Sequence, residues 1–140
     1  MNQHGIGKSE EKEMQLSTLE STANNVNQGA PQPNPNVLLL LYDGAIRFVR
    51  LAREQIEAGN TSAKEVSLSK AYAIISEFIN SLDREQAPEL CENLTRIYEF
   101  MLTKLTEANT NMDTEPLDLV LRYLTDMRTT WSEAIEQTTA

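Results

Sequence analysis

From Asn36 onward, apolar residues recur at spacings of three and four in four stretches of about 20 residues, joined by short polar connections. That spacing places a stripe along one face of an α-helix, whereas a half-buried strand needs alternation at two. The first helix is expected from about Asn36 to Ala58, with Leu38, Leu41, Tyr42, Ala45, Val49, Ala52 and Ile56 as its stripe. Gly59 stands where helices commonly stop. Thr61 or Ser62 is expected to cap the second helix, about Ala63 to Leu82, with Glu65 completing a capping box. Its stripe reads Leu68, Ala71, Tyr72, Ile75, Ile79 and Leu82. Pro88 suits the first turn of a third helix reaching about Ala108, with Leu90, Leu94, Ile97, Tyr98, Met101 and Leu105 on its face. Asp113 or Thr114 caps a fourth, carrying Leu117, Val120, Leu121, Leu124, Met127 and Trp131. Short connections make successive helices antiparallel. The expected fold is all-α: an antiparallel up-down four-helix bundle over residues 36–140.

Residues 1–35 read differently. They are rich in Asn, Gln, Ser, Gly and Pro and end in "GAPQPNPN". Too little apolar surface is present to offset the cost of ordering, so a disordered polar tail is expected. Within it, "SEEKEMQLSTLESTA" holds Met14, Leu16 and Leu19 among good helix formers and can form a short transient helix.

Charge and residue counts narrow the function classes. Twelve Lys and Arg against 21 Asp and Glu give a net charge of −9, a poor surface for nucleic acid or an anionic membrane. No apolar run approaches the ~20 residues of a membrane span, and the N-terminus lacks a signal-peptide core. The lone cysteine, Cys91, allows no internal disulfide and has no metal-binding neighbour, so it reads as a small buried hydrophobe. These features together indicate a cytoplasmic protein. The one histidine, His4, lies in the tail. No Ser-His-Asp or Cys-His pairing, di-iron Glu-x-x-His pair or helical phospho-histidine can therefore form in the bundle. Acidic pairs such as Glu54 and Glu57, or Glu89 and Glu92, read as a solvated helix face. The chain is expected not to be an enzyme and to need no metal or cofactor.

The helices carry more apolar residues than one face needs. Leu40, Phe48 and Leu51 form a second set on the first helix, Ile74 and Phe78 on the second, Phe100 and Leu102 on the third, and Leu119 and Tyr123 on the fourth. Wide faces can pack in a compact bundle or a dimer; they can also form a groove for another apolar helix. The first helix holds a further oddity, Asp43 and Gly44 inside "LLLLYDGAIRFVRLA". Both are poor helix-interior residues, glycine by about 1 kcal/mol. Gly44 would let another backbone approach closely, and Asp43 can pair with an arginine such as Arg128.

The same stretch resembles the first core helix of the flagellar secretion chaperone FliS family, whose Leu-Tyr-Asp-Gly-Ala-Ile motif is matched by Leu41 to Ile46. "SLDREQAPELCENLTRIYEFMLTKLTEAN" is similar to the family's central stretch at Ser81, Leu82, Asp83, Asn93, Leu94, Tyr98, Met101, Leu105, Ala108 and Asn109. "MRTTWSEAI" is similar to its closing stretch around Arg128, Trp131 and Ala134. The resemblance spans about residues 36–136. It implies an antiparallel helical bundle that binds the disordered C-terminal segment of flagellin in the bacterial cytoplasm, blocks premature polymerisation and passes the client to a component of the flagellar export gate. A monomer or weak homodimer is expected. The residues expected to bind the partner are Leu40, Leu41, Tyr42, Asp43, Gly44, Ile46, Phe48, Ile74, Phe78, Leu82, Arg128 and Trp131. The lead-in departs from the family: it has no tyrosine and reads "VNQGAPQPNPN". In the family this segment can lie over the client groove, and here "MQLSTL" is expected to act as a weak substitute. The competing expectation is a self-associating helical bundle or adaptor without a flagellin client.

Overall fold

The structure is a computed structural model that describes residues 35–139. Four helices follow one another: α1 (Pro35–Glu57), α2 (Thr61–Asn80), α3 (Pro88–Asn111) and α4 (Glu115–Thr139). α1 packs on α2 and α4, and α3 packs on the same two, so the four close an antiparallel up-down ring around one core. No strand occurs among the described residues. The readings of the tail, including the "MQLSTL" plug, lie outside the described residues.

The helix ends follow local chemistry. Gly59 adopts φ +71° and ends α1: its N–H donates to the Ile56 carbonyl at 3.0 Å, and Asn60 N–H reaches Gln55 at 2.8 Å. This is the Schellman arrangement that satisfies the last carbonyls of a helix. Asn60 then caps α2, its side chain accepting from Ala63 N–H at 3.2 Å. The expected Thr61 or Ser62 cap is thereby corrected. The glycine turn is so tight that both residues already belong to the first turn of α2. At the other connections the expected caps form: Pro88 opens α3, and Asp113 Oδ1 accepts from Glu115 N–H at 3.0 Å at the start of α4.

α3 ends differently, on Met112 with φ 50°. A side chain in this left-handed region costs about 1–2 kcal/mol, and glycine avoids the cost. Met112→Gly should therefore stabilise the protein by about 1 kcal/mol after the entropy of the freer unfolded chain is subtracted. A rise of several degrees in the thermal midpoint would show it.

The core takes one face from each helix. On α1 it is Leu38, Tyr42, Ala45, Ile46, Val49, Ala52 and Ile56, close to the expected stripe, with Ile46, expected at the partner surface, buried at 8% exposure. On α2 it is Leu68, Ala71, Ile75 and Phe78, so the phase differs from the expected one. Tyr72, expected inside, is 44% exposed, and Phe78, expected as surplus, is buried. Both phases run at three-four spacing and their centres differ by much less than one residue's rotation of 100°; ring packing decided between them. Phe78 stacks on Tyr42 with ring centroids 4.3 Å apart and meets Tyr98 at 5.5 Å. Trp131 Nε1–H donates to Tyr42 Oη at 2.9 Å, and Tyr42 Oη and Tyr98 Oη share a hydrogen bond of 2.6 Å. One residue from each helix thus joins a buried aromatic quartet. Burial pushes the pKa of Tyr98 up to about 12 and raises that of Tyr42 well above the usual phenol value.

A buried cation fastens the opposite end. The Lys64 ammonium on α2 donates to the Asn109 carbonyl at 2.5 Å and to Asn109 Oδ1 at 2.6 Å. It sits at the C-terminal end of α3, where positive charge is favoured. Cys91 is fully buried, donates to the Asp83 carbonyl at 3.3 Å, and has its thiol pKa pushed up by burial. A thiol held neutral in this way is a poor nucleophile.

Candidate partner-binding surface

α1 is apolar on more than its core face. Leu40 is 67% exposed, Val37 44% and Leu51 38%. At 100° per residue these three share a side of α1 with Gly44, while Leu41 and Phe48 lie between them and α2. Leu41, Phe48 and Ile74 of α2 are half-buried against the core edge. The result is a continuous apolar stripe along the outside of α1 and its border with α2. Both neighbours of α1 in the ring are already in place and leave Leu40 open; over Phe48 lie the Arg47 guanidinium, 4.8 Å from the ring centroid, and the Lys70 ammonium at 5.4 Å.

Gly44 lies in the middle of that stripe. A Cβ built there would meet Ile74 Cδ1 at 3.6 Å, an ordinary van der Waals contact. Packing within the bundle therefore has no need of glycine, although glycine costs the helix about 1 kcal/mol. Asp43, one residue away, faces the other flank. It accepts from Arg128 Nε at 2.6 Å and from Nη2 at 3.3 Å, joining α1 to α4. The hydrogen bond to Asp43 raises the Arg128 pKa, so the guanidinium stays charged. Arg53 makes a second tie between these helices, to Asp118 at 2.7 Å, and also pairs with Glu57 at 2.9 Å.

Between the two ties lies a shallow groove of about 750 Å³. Ile46 and Leu51 give it apolar surface, Arg47, Arg50 and Arg128 give it positive charge, and Asp43, Glu54 and Thr125 complete its wall.

The residues expected to bind a partner divide into four groups. Leu40, Leu41, Gly44, Phe48 and Ile74 form the outer stripe. Asp43, Ile46 and Arg128 lie in the α1–α4 groove. Tyr42, Phe78 and Trp131 are inside the aromatic quartet, beneath that surface. Leu82 lies past the end of α2 and packs on the core edge. Arg47 and Arg50 were not among the expected residues. Plotting charge as well as apolarity on the helical wheel would have found them, because they share a flank with Asp43. The surplus on α3 and α4 is partly self-satisfied: Phe100 meets Tyr123 edge-on at 5.9 Å, with the Lys104 ammonium 5.2 Å above Phe100.

Among the described residues, no group of three or more His, Cys, Asp or Glu side chains is placed to hold a metal ion. No described helix is long and apolar enough to cross a membrane.

Residues 18–138 match the family model described as Flagellar protein FliS. The chain is 36% identical over 113 residues to the flagellar secretion chaperone FliS of Bacillus subtilis, covering 81% of each chain. It is 37% identical over 99 residues to the flagellar secretion chaperone FliSB of Pseudomonas aeruginosa, covering 70% of this chain and 79% of that one. To the flagellar secretion chaperone FliS of Salmonella typhimurium it is 32% identical over 102 residues, covering 71% and 76%.

Proposed function

The chain belongs to the FliS family of flagellar proteins, and from that membership and the apolar stripe on α1 we propose that it is a cytoplasmic export chaperone for flagellin. In this reading the C-terminal segment of flagellin is disordered when free. It folds into helix on the outside of α1, laying apolar residues over Leu40, Leu41, Phe48 and Ile74. Gly44 supplies the place where the client backbone comes closest. The covered client cannot polymerise and is handed to the export gate.

The observation that carries this reading is the stripe itself, with a glycine at its centre that the bundle does not require. Exposed leucines at helical spacing fit helix-in-groove recognition. Ordering the client costs roughly 2–5 kcal/mol of the gross interaction, which keeps net affinity compatible with release. Tyr42, Phe78 and Trp131 contribute from beneath by holding α1 in place.

Calorimetric titration with the C-terminal segment of flagellin from the same organism tests the proposal. One-to-one binding with a large negative heat-capacity change is the expected result. A folded protein that gives no heat, and that sediments as an oligomer at every concentration, would replace this reading with a self-associating bundle.

A further inference from the structure

The groove between α1 and α4 borders the stripe, sharing Leu51 with it, and its chemistry differs from that of the stripe. The chain is acidic overall, with a net charge of −9 and seven arginines. Three of the seven, Arg47, Arg50 and Arg128, converge on this one groove. Arg128 is occupied by Asp43. Among the described residues, no carboxylate is within ion-pair distance of Arg47 or Arg50; the Arg47 guanidinium lies 4.8 Å over the Phe48 ring and keeps its charge open to a carboxylate. Leu51, with the edge of the largely buried Ile46, provides apolar surface alongside the two arginines.

We propose that this groove docks an acidic amphipathic helix from a partner protein. Apolar residues of that helix rest on Leu51 and the exposed edge of Ile46, and its carboxylates lie over Arg47 and Arg50. Charge complementarity selects this occupant. Elsewhere the acidic surface repels an acidic partner, so the arginine pair is where such a helix can settle, and like-charge contacts suppress other registers. Glu54 sets polarity, because the end of the partner near it must be free of carboxylates. The two α1–α4 ion pairs are ten residues apart on α1, about 15 Å, so they frame a site of roughly three helical turns.

The test uses the full chain and needs no flagellin. Two synthetic helical peptides carry leucine at three-four spacing, one with glutamates flanking the leucines and one with lysines in their place. Fluorescence anisotropy follows each titration. The glutamate peptide should bind saturably and the lysine peptide should not. Arg47→Gln with Arg50→Gln should weaken binding about tenfold, whereas Arg96→Gln on α3 should leave it unchanged. Raising salt from 0.1 to 1 M shortens the screening length from about 10 to about 3 Å and should weaken binding further. Equal binding of both peptides, no saturable binding by the folded wild type, or an unaltered affinity in the double variant would overturn the proposal.

Discussion

Replacing Tyr42 by alanine should remove most of the stability of the bundle. Cutting a buried aromatic residue to alanine costs roughly 3–5 kcal/mol through lost burial and the cavity left behind. Here the loss is larger. Tyr42 Oη accepts from Trp131 Nε1–H and shares a hydrogen bond with Tyr98 Oη. Both partners lose that oxygen while buried, at about 1–3 kcal/mol each. A domain of this kind is stable by only about 5–15 kcal/mol. The polar part can be isolated. Tyr42→Phe keeps the stacking on Phe78 and removes only the shared oxygen, so it should cost roughly 2–4 kcal/mol. Tyr98→Phe removes one bond and leaves the Trp131 contact intact, so it should cost about 1 kcal/mol. Urea unfolding followed by circular dichroism measures all three. Equal costs for the two phenylalanine variants would show that Trp131 and Tyr98 do not both depend on the Tyr42 hydroxyl.

The same quartet makes an alkaline prediction. In the folded protein the Tyr98 pKa is pushed up to about 12, from 10.0 for the free group, and Tyr42 shifts in the same direction, both chiefly through burial. Folding therefore favours the neutral phenols. Their contribution is fully present below pH 10 and is lost as pH rises from 10 toward 12. Unfolding titrations should show a flat dependence up to pH 10 and a steep decline above it, shallower in Tyr98→Phe.

Much of this architecture was legible in the periodicity of the chain. Leu38, Tyr42, Ala45, Val49, Ala52 and Ile56 specify one face of α1 because a single phase accounts for all of them. α2 was ambiguous because Leu68, Tyr72, Ile75 and Ile79 satisfy the three-four rule as well as Leu68, Ala71, Ile75 and Phe78 do. Only the ring packing around Tyr42 and Tyr98 separates the two phases. Asp43 could be read as a residue in want of an arginine, and Arg128 was among the candidates, but its place beside α1 follows from helix order and antiparallel register. The groove arginines went unread because apolar spacing was followed and charge spacing was not. The Asn60 cap was missed for a local reason: it depends on how tightly Gly59 turns the chain.

Gly44 allows stability and binding to be separated, because substitutions near it should move the two in opposite directions. Gly44→Ala adds a methyl that finds ordinary contact with Ile74, so helix propensity dominates and stability should rise by about 0.5–1 kcal/mol. Gly44→Leu should also fold, yet it places a branched side chain where the client backbone would approach. Leu40→Asp changes a residue that is 67% exposed, so stability should shift by no more than about 0.5 kcal/mol. In a complex that covers Leu40, the same change forfeits roughly 1.5–3 kcal/mol of burial and adds a carboxylate that must be desolvated. Affinity for the flagellin segment should then fall about a hundredfold. A residue that matters only for the fold lowers stability when it is replaced; a residue kept for a partner leaves stability unchanged or raises it while binding falls. If Gly44→Leu and Leu40→Asp fold normally and bind the segment as tightly as the wild type, the client does not lie on this stripe, and the cost of a glycine at position 44 has another cause.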